Sequence, residues 1–571
     1  MISSAPGTSD TPRAHIANMA ALECLRDIGL EDESLSQATA SQNMEHTRWC
    51  HSMAGEEFAR IYSWGHDPHR AGDYDEASPC VPVDLPQTLA EPILDNRARE
   101  RGWDIRFNAK LISFEDHGAE KGVTSTIQST SSDDLISPLT YTIRSRYLFG
   151  CDGGRSTIVR QLDLPLIKKP GGGLAFNILV ETDLSHLIET RNGNLHWALQ
   201  PDRQHPKWGL MCVVRMVKPW YEWMFIIFPE PDWDPIVHGG EPTEDEYLRR
   251  VRDFIGDDSI PAKIINVSKW AVNEIVAERY SSDSNNIHCL GDAVHRHPPF
   301  NGLGSNTCIQ DAYNIAWKVA YVMKGTASPR ILTSYNIERQ PVGQSVITRA
   351  NKGFRDHLAV WQALGITEPD LASATKAFNE LSAATAAGAK RRRDFRTAVE
   401  GTEKEFHAVG QEMNQRYDNS AAVYFADESS PRPPLPEDPV LKYQISTYPG
   451  SRLPHAWLNS RVPGQKISTQ DLAGKGRFAL FTGPGDEKGK WKAAAKNVGK
   501  ELGVEISTAS IGWKCDWEDV YFDWQKKREV EEDGCVLVRP DRFVAWRSMT
   551  MVDEPEKRLS RVLRSVLCLD D

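Results

Sequence analysis

The run Cys289-Leu290-Gly291-Asp292-Ala293-Val294-His295-Arg296-His297-Pro298-Pro299-Phe300-Asn301-Gly302-Leu303-Gly304-Ser305-Asn306 gathers the residue types best suited to chemistry. A short apolar strand ends at Gly291, where the missing side chain lets backbone approach a ligand closely. Asp292 then stands at the strand's carboxyl end, where open α/β sheets bind ligands. Pro298 and Pro299 stiffen the loop, Gly302 and Gly304 permit tight turns, and a helix begins. Its N-terminus offers unpaired N–H groups and a positive dipole end, a seat for negative charge. A second run, Tyr147-Leu148-Phe149-Gly150-Cys151-Asp152-Gly153-Gly154-Arg155-Ser156, again leads a strand into Gly-x-Asp-Gly. By itself this second run also reads as an Asp-Gly turn.

The elements that must position these runs follow from periodicity. Ile16, Met19, Leu22, Leu25 and Ile28 recur at helical spacing before Gly29, and Thr88 to Arg101 forms a second helix closed by Gly102. Strands are expected at Asp104–Phe107, Leu111–Glu115, Val123–Gln128, Tyr141–Arg144 and Tyr147–Cys151. Leu174–Val180, Leu195–Leu199, Gly209–Val217 and Glu222–Phe228 predict an inserted, largely antiparallel sheet. A strand at Asn286–Leu290 returns to the α/β unit. The helix after it, Asn306 to Lys324, is given an apolar stripe of Ile309, Ala312, Tyr313, Ala316, Ala320 and Met323. The expected organisation is α/β at 1–165, the sheet unit at 166–280, α/β and helices at 281–425, a Pro-rich linker at 426–447 and a C-terminal unit at 448–571.

Composition narrows the function. The 571 residues carry 67 Lys+Arg against 79 Asp+Glu, a net charge of −12, which argues against nucleic-acid binding. No apolar run approaches the roughly 20 residues that span a bilayer, and the start lacks a signal-peptide pattern. Ten Cys without a C-x-x-C pair indicate neither a disulfide scaffold nor a zinc knuckle. The expectation is a cytoplasmic enzyme without a metal centre.

The two runs, in this order, resemble the flavin-dependent aromatic hydroxylases. Pro12-Arg13-Ala14-His15, Ala54-Gly55-Glu56-Glu57, Ser63-Trp64-Gly65-His66-Asp67-Pro68-His69-Arg70, Ser78-Pro79-Cys80, Asp84-Leu85-Pro86-Gln87 and Val214-Arg215-Met216-Val217-Lys218-Pro219-Trp220 are similar to the phenol hydroxylase and dichlorophenol monooxygenase branch. The resemblance implies a Rossmann-like FAD-binding domain, an antiparallel substrate domain and a thioredoxin-like C-terminal domain without redox cysteines. It also implies FAD and NADPH as cofactors, with a phenol and molecular oxygen as partners and a homodimer as the assembly. Reduced flavin would take up oxygen, and the flavin hydroperoxide would attack the ring, commonly ortho to the hydroxyl. By the same resemblance Arg13, Gln87, Asp152, Asp292, Leu303, Gly304 and Asn306 contact the cofactor, and Pro299 lies beside the flavin. His15 is the residue implied to draw the phenol proton, although some phenol hydroxylases carry Asp there. Arg215 and Trp223 are the candidate pocket residues.

One family element is missing from the sequence. No strand followed by Gly-x-Gly-x-x-Gly occurs in the first hundred residues. The sequence therefore predicts a fold short of its first β-α-β segment, about 30 residues in size, and weak flavin retention. The alternative reading is a catalytically impaired scaffold that binds an aromatic ligand or a partner.

Overall fold

The computed structural model describes residues 1–130, 139–238 and 240–570. A two-residue strand, β1 (Ile16–Ala17), leads into helix α1 (Met19–Asp27). Asn18 caps that helix through the Ala21 amide, and Gly29, at φ +73°, turns the chain out of it. Next come β2 (His46–Cys50), β3 (Glu57–Tyr62), β4 (Val83–Asp84) and helix α2 (Gln87–Glu100), with Gly102 again at positive φ. β1 and β4 pair antiparallel, setting Ile16 opposite Asp84.

A three-stranded meander follows: β5 (Ala109–Asp116), β6 (Val123–Ser129) and β7 (Thr140–Ser145). The expected strand at Asp104–Phe107 does not form. Only Arg106 makes an isolated bridge there, to Ile2. β8 (Leu148–Gly150) carries the first Gly-Asp run, and among the described residues its strand partner is the strand of the second run.

The large sheet uses β9 (Leu174–Glu181), β10 (Leu195–Ala198), β11 (Met211–Lys218), β12 (Glu222–Phe228) and β13 (Lys263–Ala271). It has seven strands in the order β13-β9-β12-β11-β10-β2-β3. Sequence reading gave the central strands to within two residues, but β2 and β3 join from far earlier in the chain. β10 runs parallel to β2, and the remaining neighbours in this sheet are antiparallel.

Side chains alternate across a strand, so the sheet has two distinct faces. Val214, Met216, Trp223, Phe225, Ile178 and Val180 pack against helix α3 (Glu244–Ile255) through Tyr247, Val251 and Phe254. The other face carries Val213, Trp197, Phe228 and Ala175, which form a core with Ile16 and Phe300 beside the second Gly-Asp run. Leu179, Val217 and Met224 continue that face and pack on Ile226.

β14 (Ile287–Cys289) pairs in parallel with β8, so both Gly-Asp runs leave the same, carboxyl end of the strand pair. Helix α4 (Gly304–Lys324) follows, then the long α5 (Thr333–Leu364). The apolar stripe expected on α4 faces the wrong way: Ala312, Ala316, Ala320 and Met323 are exposed. The buried face includes Asn306, Gln310, Asp311, Asn314 and Lys318 alongside Ile315, Trp317 and Tyr321. Each of these polar groups finds a partner: Asn306 on the backbone of Ile16 and Asn18, Gln310 on Gln415, and Asp311, Asn314 and Lys318 in one charge network, described below.

Residues 426–447 carry neither helix nor strand. The C-terminal unit is a four-stranded sheet with strands Ile506–Ser510, Phe478–Thr482, Cys535–Val538 and Val544–Ser548 in that order. The first two are parallel, and helices Lys490–Leu502 and Pro555–Val566 cover the sheet, a thioredoxin-like arrangement. Among the described residues no helix is long and apolar enough to cross a membrane.

Candidate active site

The segment Pro12–Ala17 is the hub of the site, held from three sides. From β4, the Leu85 amide donates to the His15 carbonyl at 2.6 Å and the Gln87 amide to the Ala14 carbonyl at 2.8 Å. From the first turn of α4, Asn306 Nδ2 donates to the Ile16 carbonyl at 2.8 Å, while its Oδ1 accepts the Asn18 amide at 3.0 Å. From the large sheet, Arg215 donates to the Pro12 carbonyl at 2.9 Å and the Arg13 carbonyl at 3.4 Å. Segments remote in sequence thereby bring His15, Arg215 and the Gly302–Asn306 loop together.

His15 keeps only 13% side-chain exposure, and its Nδ1 lies 3.1 Å from Asp84 Oδ2. The same oxygen accepts Asn194 Nδ2 at 2.9 Å. Burial, helped by the Arg215 charge, lowers the His15 pKa, while Asp84 opposes that shift. The ring is therefore neutral near pH 7, donating from Nδ1 and leaving the Nε2 lone pair available. Arg215 is buried too. Burial pushes its guanidinium down to about 10, against the pull of Asp84 and Glu222. It stays cationic at neutral pH and fixes a positive field beside the cleft.

The second Gly-Asp run has the backbone shape its sequence implies. Gly291 sits at φ +60°, and a Cβ there would meet Cys308 Sγ at 2.6 Å. Gly302 also lies at φ +60°, against Ile16. Among the described residues no side chain caps α4, so its first amides lack an intrahelical partner. Asp292 and Pro299 are exposed, and Leu303 is buried under the loop. The Arg13 side chain is exposed and makes no ion pair among the described residues.

Three residues are otherwise engaged. Asp152 Oδ2 accepts the Thr157 and Ile158 amides at 2.7 and 3.3 Å, capping the short helix that follows. Gln87 donates to Glu91 at 2.5 Å. Trp223 is fully buried on the α3 side of the sheet and donates to the Trp220 carbonyl at 2.8 Å. Because Trp223 pairs with Met216, and Arg215 with Met224, Trp223 and Arg215 lie on opposite faces. Trp223 is thus a packing residue, and the sheet face that Arg215 shares carries the apolar cluster Leu179, Val217, Met224 and Ile226. Asn177 and Trp270 are hydrogen-bonded to each other at 2.9 Å on that same face.

Sequence reading singled out neither Asp84 nor Asn194 as a candidate site residue. Asp84 lies in a run already singled out, but its partners are 69 and 110 positions away, a pairing no local pattern carries. Among the described residues no cluster of His, Cys, Asp or Glu is arranged to hold a metal ion.

Comparison with known proteins gives this geometry its context. The sequence family described as "FAD binding domain" matches residues 1–350, and that described as "Aromatic-ring hydroxylase, C-terminal" matches residues 446–568. The 2,4-dichlorophenol 6-monooxygenase of Delftia acidovorans is 39% identical over 563 residues, covering 98% of this chain and 92% of the relative. The phenol 2-monooxygenase of Pseudomonas sp. (strain EST1001) is 39% identical over 573 residues, covering 99% and 88%. The crystal structure of the flavin-dependent monooxygenase PieE in complex with FAD and substrate superimposes with a TM-score of 0.90 at 36% identity, covering 100% of this chain and 94% of that one. The residues present suit the flavin end of FAD. They supply an uncapped helix N-terminus, side-chain-free backbone at Gly291 and Gly302, and, among the described residues, a carboxylate at Asp292 and a guanidinium at Arg13 without ion-pair partners.

Proposed function

This chain belongs to the FAD-dependent aromatic-ring hydroxylases, and from that premise we propose that it hydroxylates a phenol next to the ring hydroxyl, with His15 as base. The observation that carries this reading is the convergence on Pro12–Ala17. One hydrogen-bonded segment holds the imidazole, the buried Arg215 and the uncapped start of α4 in one cleft. The positions in the names of the two bacterial relatives, 6 and 2, both neighbour the phenol carbon.

Bound FAD, reduced by NADPH, supplies the activated oxygen that is transferred to the ring. Asp292 would accept hydrogen bonds from the cofactor's hydroxyls, and the amides near Leu303, Gly304 and Asn306 would face the electron-rich end of the flavin. Arg13 would meet its phosphates, with Gln87 and the strand end shaped by Asp152 alongside. Pro299 would flank the reacting ring. His15 Nε2 takes the phenol proton, and the Arg215 field favours the phenolate, which directs attack to the neighbouring carbon. Leu179, Val217, Met224 and Ile226 pack the ring and keep water out. The ten free cysteines suit a reducing cytoplasm, and a homodimer is the proposed assembly.

The test is NADPH oxidation that rises with added phenol and yields a catechol by mass spectrometry. His15→Ala should slow hydroxylation by about 10²-fold or more and leave flavin reduction unchanged. Equal hydroxylation rates would remove His15 from the role. NADPH oxidation indifferent to phenols would favour a ligand-binding protein instead.

A further inference from the structure

Helix α1 begins two residues after β1 ends, so whatever holds α1 also sets the position of the segment that carries His15. Its charged residues, Glu23, Arg26 and Asp27, fall three and four positions apart on one helix face. Two of them are badly placed for an isolated helix. Glu23 is buried, and Asp27 is the last helical residue, where the helix dipole disfavours a negative charge. A buried carboxylate costs free energy unless a cation and hydrogen bonds meet it.

Each of the three charges is met from the C-terminal unit. Arg452 donates to Glu23, and Arg26 donates to both oxygens of Asp471, at 2.7 and 2.9 Å. Arg542 donates to Asp27 at 2.9 Å and to the Glu23 carbonyl at 2.7 Å. The Lys475 amide reaches both Asp27 oxygens at 3.0 Å. The loop comes that close because Gly474 stands at φ +80°, and a Cβ there would lie 2.2 Å from Asp27 Oδ1. The other end of α1 is tied to the cleft. Asn18 caps the helix, and its amide donates to Asn306, which also holds the Ile16 carbonyl.

We propose that the C-terminal unit is a positioning element for the reaction. By gripping Glu23, Arg26 and Asp27 it holds α1, and through Asn18 and Asn306 it holds the segment that carries His15 against the start of α4. This rests on the reading of that segment as part of the active site. A misplacement of about 1 Å at a reacting centre can cost about 10²-fold. A loosened α1 should therefore let NADPH oxidation run on while less phenol is converted. The electrons then pass to oxygen alone: NADPH, a proton and O2 give NADP+ and hydrogen peroxide.

The test compares the full-length wild type with Arg26→Glu, Asp471→Arg, the double variant that restores the pair with its charges exchanged, and Arg558→Ala. The last breaks the 2.6 Å pair with Asp427, which joins the C-terminal unit to the Pro-rich linker without touching α1. One readout is hydrogen exchange of the Asn18, Leu85 and Gln87 amides, which bind Asn306, His15 and Ala14, in flavin-free protein. The other is the share of oxidised NADPH recovered as hydroxylated phenol. Each single reversal should speed exchange about tenfold and lower that share about twofold or more. The double variant should return both to near the wild-type values. Arg558→Ala should move neither, which separates positioning from general stability. Unchanged exchange and share in both single reversals, a double variant no better than the singles, or an equal loss in Arg558→Ala would each overturn the proposal. If the reversals fail to fold, Arg26→Gln decides: faster exchange at the same amides supports the proposal, and unchanged exchange overturns it. A wild type without phenol-dependent NADPH oxidation would refute the functional reading instead, while the exchange rates and their rescue would still decide the grip on α1.

Discussion

Removing the negative charge of Glu338 should unfasten the C-terminal unit from helix α4. Three cations and three carboxylates meet there, all buried: Lys318, Arg339 and Arg539 with Asp311, Glu338 and Asp541. Glu338 accepts Lys318 Nζ at 2.6 Å and Arg539 at 2.6 and 2.9 Å. Arg539, from the C-terminal unit, also grips Asp541 at 2.5 Å, and Arg339 grips Asp311 at 2.7 Å. Asp311 in turn accepts His295 Nε2 at 2.9 Å and the Gly291 amide at 3.2 Å, so the network reaches the second Gly-Asp run. Glu338→Gln leaves one positive charge uncompensated in a site closed to water. Breaking a buried pair on one side costs about 3–5 kcal/mol, a large share of the roughly 5–15 kcal/mol that holds a fold together. Burial already pushes Lys318 down to about 8 with Glu338 present. Without its partner, Lys318 should shed its proton near neutrality, and the unfolded chain then binds more protons than the folded one. The stability of Glu338→Gln should accordingly climb as pH rises from 7 toward 9. Urea unfolding at several pH values measures both effects. Adding Lys318→Met to Glu338→Gln removes one charge of each sign and should recover about 1–3 kcal/mol. A Glu338→Gln protein as stable as wild type, or a double variant weaker than the single, would refute the charge-balance reasoning.

Two further outcomes are expected. Glu412 is buried with Oε2 unpartnered, and burial raises its carboxyl from 4.5 to about 8. Its folded form holds a proton that the unfolded chain releases, so the stability it contributes at low pH is lost as pH rises from 4.5 through 8. Glu412→Gln should therefore unfold at higher urea than wild type at pH 8.5 and at nearly the same urea at pH 4.5; a variant equally or less stable at pH 8.5 would contradict this. The two faces of the large sheet should also separate in function. Trp223→Ala should cost about 3–5 kcal/mol without changing the order of preference among phenols, whereas Ile226→Ala should change that order at little cost in stability. A substrate panel with parallel melts distinguishes them, and altered preference in Trp223→Ala would place it at the cleft after all.

Much of this was legible in the sequence where a local rule governs. Gly29 and Gly102 end their helices as residues tolerant of positive φ should, and the central strands β9, β11 and β12 announce themselves through β-branched and aromatic runs. The Gly291–Asn306 run folds into the strand, tight loop and uncapped helix that its residue order implies. What escaped depends on pairing at a distance. Asp311, Asn314 and Lys318 lie outside the apolar stripe expected on α4, yet they are buried because Glu338, Arg339 and Arg539 arrive from elsewhere to meet them. Arg215 and Trp223 sit in adjacent strands, but which face each takes is set by the register across the β11–β12 hairpin. β2 and β3 carry His, Arg and Glu among their apolar residues, so nothing local announced that they would extend a sheet formed more than a hundred residues later.

The single segment that bears His15 is anchored at once to the first turn of α4, to the Asp84 carboxylate behind the imidazole and to the large sheet. Such a shared beam cannot be shifted for one purpose without disturbing the others, so this floor of the cleft is closed to adaptation. Room for bulkier or differently decorated rings has to be made in the opposite wall, where Leu179, Met224 and Ile226 carry no hydrogen-bonding duty in their side chains. On the proposed reading, divergence in substrate is thereby channelled into a few apolar positions on one sheet face, while the segment that carries His15 stays as it is.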